Sequence, residues 1–244
     1  MGDVRFTGNW NSVNAHTVPK WYEDCKFGIF IHWGIYSVPA FAPHTWELGE
    51  VDSKEWFADN PYAEWYYNSL NIGKGPTYKH HIEKYGKDFK YEDFIPMWKA
   101  ENWDPKQWAE IFKEAGAEYV VLTTKHHDGF CLFPSKYTHF NSVEMGPKRN
   151  ITGELTEAVR DAGIRMGLYY SGLIDCQYAN DPIFEDDDLF GTASPTFAYA
   201  DYSYNQMKEL VDDYAPSVFW NDIGWPTQSE EMMPYFFAHY YNKV

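Results

Sequence analysis

The chain has 244 residues and a mass of 28.6 kDa, a length that one domain with a sizeable core, such as a β/α barrel, commonly reaches. Thirty-six acidic against twenty basic residues give a formal net charge of -16, which opposes binding to nucleic acid or an anionic membrane and favours neutral substrates. The N-terminus lacks an apolar signal segment and no eighteen-residue apolar run follows, so the sequence predicts a cytoplasmic protein.

Four short, largely apolar segments predict buried parallel strands, each with polar residues at or near its carboxyl end. They are 26–33 (KFGIFIHW), 118–125 (EYVVLTTK), 165–171 (RMGLYYS) and 217–222 (SVFWND). Between them, apolar residues recur at the spacing of one helix face, which predicts amphipathic helices.

The helices have recognisable beginnings. Asp104 and Pro105 predict the N-cap and first position of one helix, and Thr152 predicts the N-cap of the next. A third helix follows around Met207, and a very aromatic last helix is predicted over 229–242, where Pro234 must lie in the first turn or kink the helix. Segments 35–60 and 173–203 lack periodicity and are rich in turn-forming residues, so they predict long loops after strands.

Alternating strands and helices predict an α/β fold with a parallel sheet, either doubly wound or closed as a barrel. No G-x-G-x-x-G follows a strand and no G-x-x-x-x-G-K-[ST] occurs, which favours the barrel. In barrels the active site lies at the carboxyl ends of the strands.

Polar and aromatic side chains stand at all four predicted strand ends. Imidazole, phenol and indole groups there suit a compact ligand with several hydroxyls, and one carboxylate suits attack on an anomeric carbon. A structural role is the simpler interpretation of any one of them, and aromatic residues, 20% of the chain, also fill cores. The strand-end residues are His32, Trp33, Lys125, His126, His127, Asp128, Tyr169, Tyr170, Trp220, Asn221 and Asp222.

A metal-dependent barrel hydrolase is the main alternative among enzymes, because such enzymes also use histidine and aspartate at strand ends. Here the first strand carries His32-Trp33 rather than H-x-H. His126 and His127 would point to opposite faces if the strand continued through them. No metal site and no cofactor are predicted.

Several motifs in the same order resemble bacterial retaining α-L-fucosidases of the Thermotoga type. The likeness extends from about residue 16 to the end of the chain. The motifs are KFGIFIHWGIYSVPAF (26–41), NPYAEWY (60–66), AGAEYVVLTTKHHDGFCLF (115–133), FNSV (140–143), GPKRN (146–150), GLYYSG (167–172) and VFWNDIGWP (218–226).

The resemblance implies a retaining fucosidase with Asp222 as nucleophile and no cofactor, acting on a fucosylated oligosaccharide or an aryl fucoside. It also implies a sugar pocket formed by His32, Glu64, Trp65, His126, His127, Tyr169 and Trp220.

The family pattern continues beyond position 244, so residues 1–244 are expected to form a single, truncated barrel-type domain, a partial (β/α)8 barrel of about four parallel strands with flanking helices and no β-sandwich domain. The family's acid/base glutamate has no counterpart here. Another carboxyl is expected to replace it, from a partner subunit or from this chain, where Glu64 is preferred and Glu47 and Asp128 are alternatives. A substrate with a good leaving group would need little protonation.

A four-strand sheet leaves two open edges, and open edges favour pairing. The sequence therefore predicts a homo-oligomer that completes or covers the half-barrel. The competing functional class is a fucose-binding remnant without turnover.

Overall fold

The computed structural model describes residues 5–178, 181–191 and 196–244. In these ranges four strands form one parallel sheet in the order β1-β2-β3-β4, and at least one helix lies between each pair of successive strands. This confirms the predicted α/β fold of four parallel strands with flanking helices. The strands are β1 (Gly28–Ile31), β2 (Tyr119–Lys125), β3 (Arg165–Ser171) and β4 (Val218–Asp222).

Within the described ranges, helices of very different length surround the sheet, together with four 3-10 turns at Ile35–Ser37, Ala63–Trp65, Tyr91–Met97 and Thr227–Ser229. The α-helices are α1 (Trp10–Val13), α2 (Lys20–Asp24), α3 (Ser53–Ala58), α4 (Tyr66–Ile72), α5 (Gly75–Tyr85), α6 (Pro105–Glu114), α7 (Ile151–Asp161), α8 (Asp186–Gly191), α9 (Phe197–Tyr214) and α10 (Met233–Lys243).

The two faces of the sheet have different surroundings. Side chains alternate between the faces along each strand. Leu122 and Leu168 lie on the outer face, within the main hydrophobic core that the sheet forms with α6, α7 and α9. On the inner face, Phe30 and Trp220 remain 42% and 45% exposed. The sheet therefore has one closed and one partly open face.

The predicted helix beginnings are partly right. Asp104 caps α6 by accepting from two backbone amides, and Pro105 follows it, as predicted. The N-cap of α7 is Asn150 rather than Thr152, because the Asn150 side chain accepts from the Gly153 amide. Thr152 lies inside the helix and is fully buried, and its hydroxyl donates to the Leu132 carbonyl.

The two predicted long loops contain helices and were wrong in that respect. Helix α3 occupies 53–58 with Asp52 as its N-cap, and α8 and the first turns of α9 lie within 173–203. Residues 179–180 and 192–195 of that second segment lie outside the described residues. Among the helices described, none is long and apolar enough to cross a bilayer.

Candidate active site

The inner face carries a group of the predicted site residues at the carboxyl edge of the sheet. Strand register pairs Tyr169 with Trp220, and Asp222 is the last residue of β4. His32 follows β1, and its ring centroid lies 5.5 Å from that of Tyr169 and 5.4 Å from that of His126. The sheet thus brings together side chains from all four strands, at the edge where barrels carry their active sites.

Asp222 is held by a hydrogen bond and remains partly open to solvent. The Tyr169 hydroxyl donates to Asp222 Oδ2 at 2.7 Å, and His127 Nε2 lies 4.0 Å from the same oxygen. The Asp222 side chain is 34% exposed, whereas Tyr169 is buried. Burial and the Asp222 charge raise the pKa of Tyr169 far above its usual value, so the phenol stays a donor to the carboxylate.

His126 and His127 both reach this site, with ring centroids 3.9 Å apart. Strand β2 ends at Lys125, so the alternation of faces expected for the two histidines does not apply to them. Burial, and then the charge of Lys125, lowers the pKa of His127 to about 3. Burial, and then His127, lowers the pKa of His126 as well. Both rings are therefore neutral near pH 7.

Glu64 and Trp65 approach from the 3-10 turn Ala63–Trp65. Trp65 is buried, and its ring meets that of His127 edge-on with centroids 4.6 Å apart. Partial burial lowers the pKa of His32, while the carboxylates of Glu64 and Asp222 oppose that shift. Two carboxyl groups thus act electrostatically on His32.

Phe30 lies on the same face, although it was not among the residues predicted to line the site. Its ring centroid lies 5.3 Å from that of Trp220 and 5.7 Å from that of Tyr169. Together these rings form a partly open apolar wall beside Asp222, a surface on which the C–H face of a sugar ring can pack. The two-residue spacing of Phe30 and His32 was the signal that could have placed Phe30 here.

Other strand-end residues point away from the site because neighbours on a strand alternate between faces. Trp33 packs edge-on against Trp98 in the core, with centroids 5.0 Å apart. The Tyr170 hydroxyl donates to Gln206 Oε1 at 2.7 Å. Asn221 donates to a backbone carbonyl in the turn that follows β4.

Lys125 lies beneath the site in a buried ion pair. Its Nζ is 2.9 Å from Asp175 Oδ2, both side chains are at most 1% exposed, and the ring centroid of Tyr170 lies 4.5 Å from Nζ. The other Asp175 oxygen accepts from the backbone amides of Gln177 and Tyr178. The pair therefore joins the end of β2 to the loop that follows β3. Asp175 was not among the residues predicted from the sequence to have a role.

Two alternative acid/base candidates have other surroundings. Asp128 is buried and accepts from the Tyr91 hydroxyl at 2.7 Å and from the Phe130 amide at 3.1 Å, and burial raises its pKa to about 6. Glu47 is exposed and accepts from the Tyr62 hydroxyl at 3.4 Å. These contacts give Asp128 a supporting role in its loop. Among the described residues no group of three His, Cys, Asp or Glu side chains is arranged to hold a metal ion.

The fold and site define the chain as part of a β/α-barrel protein, and comparisons identify the family. The sequence model of the family described as Alpha-L-fucosidase matches residues 2–244. An alpha-L-fucosidase of Dictyostelium discoideum is 39% identical over 88% of this chain and 44% of its own length, and the human tissue alpha-L-fucosidase is 37% identical over 91% and 42%. The chain belongs to the alpha-L-fucosidase family.

Solved structures agree. The Thermotoga maritima alpha-L-fucosynthase bound to a fucose disaccharide azide is 54% identical with a TM-score of 0.95, and the match covers 99% of this chain and 55% of that one. The Thermotoga maritima alpha-fucosidase in complex with fucose is 53% identical with a TM-score of 0.91 over 98% and 54%. The chain therefore spans about half the length of the relatives it matches, which are (β/α)8-barrel proteins.

Proposed function

We propose that the protein hydrolyses α-L-fucosides with retention of configuration and that Asp222 is the nucleophile. The observation that carries the proposal is the position of the Asp222 carboxylate. It lies on the inner face of the sheet at the carboxyl end of β4, accepts a hydrogen bond from Tyr169 and is 34% exposed to solvent. Family membership supplies the sugar, since a solved relative is in complex with fucose.

The proposed reaction has two displacements. Asp222 attacks the anomeric carbon, the bond from that carbon to the leaving oxygen breaks, and an acid protonates this oxygen. The same group then deprotonates a water, which attacks the anomeric carbon and releases fucose and the free carboxylate. We assign the acid/base role to Glu64, because its negative charge acts to raise the pKa of both His32 and Tyr169, two side chains of the site.

The remaining residues hold the sugar. The neutral rings of His126 and His127, with His32 and Tyr169, offer hydrogen bonds to hydroxyls. Trp65 and Trp220 offer apolar ring faces. Trp65 is buried and belongs to the 3-10 turn Ala63–Trp65, whereas Trp220 is partly exposed and belongs to β4. This combination of a few directed polar groups with aromatic walls is how protein pockets bind compact polar ligands.

Replacing Asp222 by glycine tests the nucleophile. We expect Asp222→Gly to lower hydrolysis of an aryl fucoside about a thousandfold or more. Azide should restore leaving-group release by direct displacement and give the inverted fucosyl azide. Asp181→Gly, at an exposed bend, is the control and should remain active. Unchanged activity in a folded Asp222→Gly protein would refute the assignment.

The acid/base assignment is tested by the same chemistry. Azide should rescue Glu64→Gly through the covalent intermediate, so the product is the retained fucosyl azide. Glu47→Gly and Asp128→Gly are run alongside, and rescue with retention in either one would move the role to that residue. If the wild-type chain binds fucose in a titration but releases no product, the binding remnant replaces the enzyme as the function.

We also propose that copies of the chain associate through the open side of the sheet. Strands β1 and β4 are the outer strands, and the exposed rings of Phe30 and Trp220 lie on the inner face between them. Unpaired edges and exposed apolar side chains both favour association.

A further inference from the structure

Ser171 is a fully buried hydroxyl at the end of β3, between an imidazole and a carbonyl. Its Oγ lies 2.7 Å from His127 Nδ1 and 2.7 Å from the Ile174 carbonyl oxygen. Asp222 accepts its hydrogen bond from Tyr169, and Ser171 contacts the ring of His127. The residue therefore meets the site through His127.

The two contacts fix where the protons lie. A carbonyl oxygen only accepts, so the single Ser171 hydroxyl proton must point to Ile174. The Ser171 oxygen is then an acceptor toward His127, and Nδ1 must carry the proton of that hydrogen bond. The pattern of neighbours thus selects one tautomer of the ring.

The other ring nitrogen has the opposite character. Burial lowers the pKa of His127 to about 3, so the ring is neutral near pH 7 and carries one N–H. With that proton on Nδ1, Nε2 presents a lone pair, 4.0 Å from Asp222 Oδ2. A carboxylate at this position favours the other tautomer, with the proton on Nε2. Ser171 and Asp222 therefore compete for the ring proton.

We propose that Ser171 is a positioning residue that holds His127 as its Nδ1–H tautomer. In this form Nε2 accepts a hydrogen bond from a ligand hydroxyl and adds no second donor to Asp222 Oδ2, which already accepts from the Tyr169 hydroxyl. The choice of a sugar hydroxyl as the donor rests on the proposed function, whereas the tautomer itself does not.

Nitrogen NMR of the full chain with labelled histidine distinguishes protonated from unprotonated ring nitrogens. His81 is an internal reference of the opposite kind, because its Nε2 lies 2.8 Å from the Phe89 carbonyl and its Nδ1 lies 2.9 Å from the Tyr66 hydroxyl. We expect wild-type His127 to show a protonated Nδ1 and His81 a protonated Nε2. A protonated Nε2 on wild-type His127 would overturn the proposal.

The variant Ser171→Ala removes the acceptor from Nδ1. We expect the His127 signals to move toward the Nε2–H form and the affinity for fucose to fall about tenfold, as one hydrogen bond changes direction. Ser142→Ala is the matched control, because Ser142 is also fully buried and its hydroxyl donates to the Arg149 carbonyl at 2.7 Å. It should leave both readouts at the wild-type value.

The outcomes separate the two proposals. An unchanged tautomer in folded Ser171→Ala overturns the role of Ser171, whether or not the chain cleaves fucosides. A changed tautomer in a protein that neither binds fucose nor cleaves it supports Ser171 and refutes the sugar function. Restoration of the wild-type signals in Ser171→Thr, which keeps the hydroxyl, further supports the role. If that variant does not fold, Ser171→Ala alone decides.

Discussion

The neutral imidazole of His127 links the chemistry of the site to the stability of the fold. An ordinary histidine in an unfolded chain has a pKa near 6.5, and burial lowers the pKa of His127 in the folded protein to about 3. Between these values the unfolded chain binds a proton that the folded protein does not. The free energy of unfolding therefore falls as the pH falls through 6.5 toward 3.

We predict that His127 alone removes about 2 kcal/mol of stability between pH 7 and pH 5. His126 acts in the same direction, because burial lowers its pKa too. Asp128 acts in the opposite direction, because burial raises its pKa to about 6 and the folded protein gains that proton first. The clearest measure is therefore the difference between wild type and a variant at one histidine.

Urea denaturation of wild type and His127→Gln at pH 7 and pH 5 provides this measure. The variant should lose less stability than wild type over this interval. His44→Gln, at an exposed side chain, is the control and should follow wild type. Equal pH slopes for wild type and His127→Gln would contradict the assignment of a buried neutral ring.

At the scale of elements, the Lys125–Asp175 pair connects β2 to the loop after β3. We predict that Lys125→Met lowers the free energy of unfolding by about 3–5 kcal/mol, because it leaves a buried carboxylate without its partner. Asp175→Asn should have an effect of similar size. The double variant should be more stable than the sum of the single effects predicts, since no unpaired charge remains.

Chemical denaturation of the four proteins completes this double-mutant cycle. Lys54→Met is the control, because Lys54 pairs with Glu185 where both side chains are well exposed. Exposed pairs contribute little, so its effect should stay within about 1 kcal/mol. Additive effects of Lys125→Met and Asp175→Asn would show that the buried pair does not act as a unit.

The elements show what a sequence can predict. The four strands were predicted because strands of a parallel sheet are often continuous apolar runs, although the run 26–33 shortens to Gly28–Ile31. Their predicted burial is right for β2 and β3 and wrong for β1 and β4, whose residues are all at least partly exposed. The short helix α3 was missed, because a six-residue helix has little periodicity and depends on packing, here of Trp56 and Phe57 in a second hydrophobic cluster. Local sequence cannot supply such contacts.

The site shows the same division. Asp222, His127 and Tyr169 were predicted from strand ends and resemblance, and the sheet does bring them together. Ser171 and Asp175 were not singled out, because their importance comes from partners 44 and 50 positions away in the chain. Such partners become visible only when strand register is known.

At the scale of the whole molecule, the open inner face determines the proposed association. We predict that Phe30→Lys lowers the oligomeric mass toward that of a monomer, because it places a charge on the surface that self-association would cover. Sedimentation velocity at several concentrations measures this. Ile111→Lys, at an exposed apolar residue of α6, is the control and should leave the mass unchanged. A monomeric wild type contradicts the proposal.

The alternation of side chains across the sheet also has a genetic consequence. Along β3, Leu168 and Tyr170 lie in the core, whereas Tyr169 touches Asp222. Polar substitutions at Leu168 or Tyr170 should therefore lower the yield of soluble protein, whereas Tyr169→Phe, which keeps the buried ring and removes only the hydroxyl, should lower function at normal yield. The effects of mutations along one strand would then show which residues face the core and which face the site, without a structure.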